Sequence, residues 1–113
     1  MKQILLMIAV VALVGCGKKT AEQAFAEQKA KAEAGDALAQ SYLGQMYRQG
    51  LGVEQDFKEA FKWTQKAADQ GLVSDQYNLG YMYDTGQGVE QDFKEAVKWY
   101  QKAADQGAAQ AQN

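Results

Sequence analysis

The sequence has no histidine, no proline and a single cysteine in its 113 residues. Without histidine there is no Ser-His-Asp or Cys-His nucleophile and no His-ligated zinc. One cysteine cannot close an internal disulfide, so the small disulfide-stapled secreted folds are excluded as well. Basic charge is not in excess: 12 Lys and Arg stand against 14 Asp and Glu, a net charge of −2. A nucleic-acid surface needs a basic stripe, so no nucleic-acid partner is expected. What remains is an ordinary globular composition, 47% hydrophobic, in a length that holds one small domain.

Long apolar runs are missing too. The run from Ile4 to Val14 has 11 residues, whereas crossing a bilayer as a helix takes about 20. Preceded by Met1-Lys2-Gln3, it has the positive start and short apolar stretch of a secretory signal. It ends in Leu13-Val14-Gly15-Cys16, which resembles the lipobox of bacterial lipoproteins. That resemblance implies a signal peptide over residues 1–15, a diacylglycerol on the Cys16 sulfur and cleavage after Gly15. It also implies acylation of the new amino group. Two or three acyl chains anchor stably where one would not. Residues 16–19 would be a lipidated tether, opening a mature chain of 113 − 15 = 98 residues. Gly17 follows the cysteine, not the aspartate that commonly retains such proteins in the inner membrane. This implies the periplasmic face of the outer membrane.

Behind this leader the chain repeats itself. Gly35, Gly71 and Gly107 are each 36 apart, and 35–70 aligned on 71–106 gives 24 identities in 36. The run Gly52-Val53-Glu54-Gln55-Asp56-Phe57-Lys58-Glu59-Ala60 returns unchanged as Gly88 to Ala96. A period of this length without a strand signal indicates stacked helical units. The first helix of each unit, roughly 36–48, carries Leu43, Gly44, Met46 and Tyr47, then Leu79, Gly80, Met82 and Tyr83. Glycine inside a helix costs about 1 kcal/mol against alanine, so Gly44 predicts a close neighbour.

The second helix is expected to start at Asp56, with Glu59 completing a capping box, repeated as Asp92 and Glu95. Phe57, Ala60, Phe61, Thr64, Ala67 and Ala68 then fall at helical spacing as a buried stripe. Lys58, Lys62 and Lys66 read as its solvated side. Trp63, Trp99, Phe57 and Phe93 recur in register and are expected in the core. Thr20 to Ala34 reads as the second helix of an earlier, worn unit, boxed by Thr20 and Gln23, with Glu27 and Lys31 paired on it. At the other end, residues 107–113 read as the stub of a third unit.

The pattern Gly-x-x-x-x-Gln-x-x-Leu-Gly-x-x-Tyr, Gly-x-Gly-Val-x-x-Asp, Ala-x-x-Trp and Lys-Ala-Ala resembles the Sel1-like repeat, a 36-residue relative of the tetratricopeptide repeat. It falls on Gly35, Gln40, Leu43, Gly44, Tyr47, Gly50, Gly52, Val53, Asp56, Ala60, Trp63 and Lys66-Ala67-Ala68, and again 36 residues later. Asp75 departs from it, standing where a small residue is typical. The resemblance implies an all-α helix-turn-helix solenoid: a capping helix at 20–34, units at 35–70 and 71–106, and the stub.

No catalytic, cofactor or metal site is expected. Gly50-x-Gly52 and Gly86-x-Gly88 lack the third glycine or the Gly-Lys-Ser/Thr that a phosphate cradle needs. Glu54 and Asp56 are accounted for by helix capping, and no oxygen-ligand spacing for calcium is present. The differences between units are more telling. Ser41, Gln45 and Arg48 become Tyr77, Tyr81 and Asp84, each triplet on one helix face apart from the Leu/Tyr core. In tetratricopeptide-like solenoids the first helices line the groove, so the resemblance makes these six the candidate partner-binding residues.

The function this implies is a lipid-anchored, non-catalytic adaptor that binds another envelope protein or a peptide. The few units, and little beyond alanine to cover Val97 and Tyr100, make the C-terminal face a candidate contact for a partner or a second copy. Two alternatives are a surface-exposed factor that contacts host cells and an envelope enzyme or β-lactam-interacting protein. The latter is implied by a cysteine-rich branch of the family, whose paired cysteines this chain lacks.

Overall fold

The computed structural model describes residues 18–112, which form five helices and no strand among the described residues. They are α1 (Ala21–Glu33), α2 (Ala37–Gln49), α3 (Phe57–Asp69), α4 (Val73–Thr85) and α5 (Phe93–Gln112). The leader and Cys16, with its expected lipid, lie outside the described residues. Each helix packs on the one before it, giving a helix-turn-helix stack in which α2–α3 and α4–α5 are the two units.

Four of the five helix starts are written in side-chain oxygens, α4 at Leu72 being the exception; these oxygens satisfy amide groups that the first turn leaves unpaired. Thr20 Oγ1 accepts the Gln23 amide at 3.1 Å, and Gln23 Oε1 accepts the Thr20 amide at 3.0 Å, a full capping box. Asp36 accepts the Ala39 amide at 3.1 Å to open α2. Asp56 accepts the Lys58 and Glu59 amides at 3.0 and 3.1 Å to open α3. The expected reciprocal half, from Glu59 and Glu95, does not form. The Asp56 amide already donates to the Tyr47 carbonyl at 2.9 Å, and the Asp92 amide does the same to Tyr83. Glu59 and Glu95 turn instead to Lys62 and Lys98, at 3.8 and 3.2 Å.

Between the helices the core is repeated at the same period. Leu43 and Leu79 are fully buried, each worth about 1.5–3 kcal/mol in removed apolar surface. Ala32, Ala39, Leu43 and Trp63 form one cluster, with Phe25 and Tyr47 packed against it. The expected close neighbour of Gly44 is α3: a Cβ there would lie 2.8 Å from Thr64 Oγ1. A Cβ on Gly80 would meet the Tyr100 ring at the same distance.

The seam between units is made twice in the same way. Phe25 of α1 meets Tyr47 of α2 with ring centroids 5.3 Å apart and planes at 88°; Phe61 of α3 meets Tyr83 of α4 at 5.4 Å and 89°. Alongside, Gly88 lies so close to the Phe57 carbonyl that any Cβ would overlap it, and Gly52 stands in the same relation to Ala21. Both glycines have φ above +70°, which side-chain-bearing residues avoid. Thus α1 occupies, toward unit one, the place that α3 occupies toward unit two.

Glutamines tie the ends. Gln70 Nε2 donates to the Gly35 carbonyl at 3.0 Å and to Gln40 Oε1 at 2.8 Å. Gln76 Nε2 donates to Gln106 Oε1 at 3.0 Å and Gln106 Nε2 donates to the Gly71 carbonyl.

The C-terminal end departs from the expected stub. Gly35 and Gly71 break the chain with φ of 102° and 97°, whereas α5 runs straight through Gly107 to Gln112. Among the described residues no further helix packs on α5 there, and the alanines after Gly107 are strong helix formers. For the same reason Phe93, expected in the core, is 62% exposed. Its counterpart Phe57 is half covered by the second unit's loop, and Trp99 is half-buried where Trp63 is buried.

Candidate partner-binding surface

The first helices, α2 and α4, present one side to solvent. On α2 this side carries Leu38, Tyr42, Gln45 and Gln49; on α4 it carries Ser74, Tyr77, Tyr81 and Thr85. Their spacing of three and four keeps each set on one stripe. Of the six candidates, Gln45, Tyr77 and Tyr81 are exposed and Arg48 and Asp84 are half-buried. Ser41 is not part of the surface. It is buried, because α4 lies over it and the second unit's Asp75 faces its hydroxyl.

Leu38, Tyr42 and Tyr100 belong to the surface and were not among the expected residues. Leu38 and Tyr42 are four apart and more than half exposed. They were legible as large apolar residues off the Leu43/Tyr47 face. Tyr100 lies on a second helix, yet its ring sits 5.1 Å from that of Tyr77, tilted by 50°. Together with Val73, Ser74, Asn78, Ala103 and Ala104 this pair lines an open hollow of about 460 Å³. A second hollow of about 450 Å³ lies between Arg48, Gln49, Gln55, Phe57, Tyr81 and Gln87.

Charge is segregated by helix type. Lys58, Lys62 and Lys66 of α3 and Lys94, Lys98 and Lys102 of α5 are exposed on the second helices. Lys62 and Lys66 lie 5.2 and 5.7 Å from the Trp63 ring, and Lys102 lies 5.1 Å from that of Trp99. Across α2 and α4 the only cation is Arg48, and α4 carries Asp75 and Asp84 with none.

Burial, and then the Asp84 carboxylate and the phenol groups of Tyr77 and Tyr81, push the Tyr100 hydroxyl above its ordinary value. Burial pushes the Asp75 carboxyl up as well, opposed by the hydroxyls of Ser41 and Ser74. Asp75 Oδ2 has no hydrogen-bond partner among the described residues. At the N-terminal end Glu27 is held below its ordinary value by its hydrogen bond and charge pairing with Lys19, and further by Lys31 at 3.5 Å. Among the described residues no three metal-binding side chains come together, and no helix is long and apolar enough to cross a membrane.

What this geometry can do is hold another chain against two parallel, mostly uncharged, tyrosine-bearing stripes. Comparison with known proteins agrees with the repeat. The Sel1 repeat matches residues 37–72 and 73–107, two residues and one or two residues beyond the glycine-based bounds. No curated protein matches the chain. Among solved structures, a protective antigen of uropathogenic Escherichia coli displaying an SLR fold superposes with a TM-score of 0.77 at 43% identity, over 79% of this chain and 19% of its own. A Sel1 repeat protein from Oxalobacter formigenes gives 0.74 at 43%, over 80% and 37%. Helicobacter pylori cysteine rich protein B gives 0.75 at 27%, over 89% and 76%. The chain therefore spans well under half the length of the first two.

Proposed function

This chain belongs to the Sel1 repeat family, and from that premise we propose that it is a lipid-anchored adaptor of the bacterial envelope, binding a protein or peptide along α2 and α4 and catalysing nothing itself. Sel1 repeats are protein–protein interaction scaffolds. The observation that carries the reading is the exposure of Leu38, Tyr42, Tyr77 and Tyr81 on the first helices. Large side chains grouped at a surface mark an interaction site, and tyrosine offers contact area with a polar tip. Photo-crosslinkers placed at Tyr77 and Tyr81 in the native envelope test it: capture of a defined partner supports the reading, and no capture at either position overturns it.

Anchoring rests on Leu13-Val14-Gly15-Cys16. Cys16→Ser is expected to abolish palmitate labelling and release the protein from the membrane fraction; a variant that stays labelled refutes the anchor. The periplasmic face of the outer membrane is the first placement. The likeness to a protective antigen favours a second, with the solenoid facing outward, and protease treatment of intact cells separates the two.

A further inference from the structure

Arg48 stands apart from the other basic residues. It is the only arginine of the chain, and it is half-buried, whereas every lysine among the described residues is exposed. The four ion pairs among the described residues are all made by lysines, so Arg48 has no carboxylate against it. Taking a charge partly out of water without a counter-ion is costly. A cation in the last turn of α2 is favoured by the carbonyl end of that helix, but a lysine at the surface would serve that purpose equally.

The hollow of about 450 Å³ that Arg48 lines, with Gln49, Gln55, Phe57, Tyr81 and Gln87, has no acidic residue in its wall. Gln55 fixes the end of α2 beside it, its Nε2 donating to the Arg48 carbonyl at 2.7 Å. Inward, Arg48 also lines a cavity of about 10 Å³ shared with Asp75, room for about one water and none for a guanidinium. Asp75 is not the missing counter-ion. Its Oδ2 has no partner among the described residues, and what acts on its carboxyl is burial and the hydroxyls of Ser41 and Ser74. Four of the six residues around the outer hollow fall among the 36 − 24 = 12 positions at which the units differ. Arg48, Gln49, Tyr81 and Gln87 have Asp84, Thr85, Gln45 and Leu51 as counterparts. The repeat by itself supplies only Gln55 and Phe57.

We infer that this hollow binds a carboxylate presented by the partner, with Arg48 as the residue that holds it. A planar guanidinium bonds a carboxylate through two parallel N–H groups, which a compact ammonium cannot. The Tyr81 hydroxyl and the glutamine amides are further donors in the same wall. The inference rests on the reading that α2 and α4 bind a protein or peptide, and it names the chemistry of that partner.

The test uses the full chain in mild detergent, with its arginine and tyrosine side chains isotopically labelled for NMR. Because Arg48 is the only arginine, its Nε–H gives a single side-chain signal. The probes are three tripeptides: Ala-Glu-Ala blocked at both ends, its glutamine counterpart, and Ala-Gln-Ala blocked only at its amino end. The Arg48 and Tyr81 signals are expected to move with a carboxylate-bearing peptide, and the doubly blocked glutamine peptide to bind about tenfold more weakly. A response to the first peptide assigns the carboxylate to an acidic side chain, and a response to the third assigns it to a chain terminus. Arg48→Gln is expected to abolish the Tyr81 response and Lys58→Gln, on the exposed side of α3, to leave it unchanged. Unchanged Tyr47 and Tyr83 signals in both variants will show that the fold is kept. Equal binding of all three peptides, no response to either carboxylate, or a Tyr81 response that survives Arg48→Gln overturns the site. A photo-crosslinker at Tyr77, outside the hollow, keeps the two readings apart. Capture there with silent carboxylate titrations leaves the adaptor standing and removes the site. Capture at neither Tyr77 nor Tyr81 removes the adaptor, and with it a partner to present the carboxylate.

Discussion

Phe61 and Tyr83 meet at 89°, ring centroids 5.4 Å apart, across the seam between the two units. The pair repeats Phe25 and Tyr47 one period earlier, and Val97, the next residue in the series, faces solvent. The same position therefore does different work depending on whether a unit follows. A double-mutant cycle on Phe61→Leu and Tyr83→Leu, read by urea denaturation, is expected to give a coupling of about 0.5–1.5 kcal/mol. Val97→Ala is expected to cost under about 0.5 kcal/mol, as exposed sites usually do.

Asp75 separates the units by charge as well as by shape. Its carboxyl is buried, with one oxygen unpartnered and its pKa raised chiefly by that burial. A folded state that holds the proton more tightly than the unfolded chain loses stability as pH rises between the two pKa values. That window opens near the ordinary carboxylate value and runs upward from it. Asp75→Ala, which installs the residue found at Ala39, is expected to stabilise the protein by about 1–3 kcal/mol above the window. The gain should shrink toward pH 4. Thermal melts of both proteins across this range check the sign: a gain that grows on acidification refutes it.

Gly88 and Gly107 predict opposite outcomes for one chemical change. A methyl group on Gly88 meets the Phe57 carbonyl and must also adopt a φ of 76°. Gly88→Ala is expected to open the seam, costing more than about 2 kcal/mol in a denaturation curve. Gly107 sits within α5, and a Cβ there would meet only Val73 Cγ1, at 3.8 Å. Gly107→Ala is expected to add about 0.5–1 kcal/mol by the same measurement.

Gln106 closes the second unit by donating to the Gly71 carbonyl and accepting from Gln76. Gln106→Ala is expected to cost about 1–2 kcal/mol, because the buried Gln76 amide loses an acceptor. Hydrogen exchange should report the loss first at the α3–α4 turn. Unchanged protection at Gly71 and Leu72 counts against the latch.

Much of this architecture was legible in the residues. The exact period placed both units, Asp36 was not needed to see α2, and Thr20 with Gln23 announced α1 where the repeat itself had faded. What escaped was whatever depends on the next unit. Ser41 and Tyr77 occupy the same position of equivalent helices, yet one is buried and the other exposed. Helical periodicity describes a single helix and carries no information on what lies over it. Asp56 and Glu59 have the spacing of a capping box, but the Tyr47 carbonyl, nine residues earlier, takes the amide that the box would use. Tyr100 is expected only as part of the C-terminal face, and the ring contact with Tyr77 is what brings it to the partner surface.

The glutamine bonds have a mechanical consequence. Gln70 reaches Gly35 and Gln106 reaches Gly71, so each clasp begins and ends within one 36-residue unit. Load applied between the amino terminus and a partner held at α4 would cross only the first of these clasps, since the second closes beyond α4. Opening it would release one unit of roughly 120 Å when fully extended. A chain pulled between a surface at its amino terminus and a moving partner at α4 would thus have one extensible link, with the second unit shielded from the load.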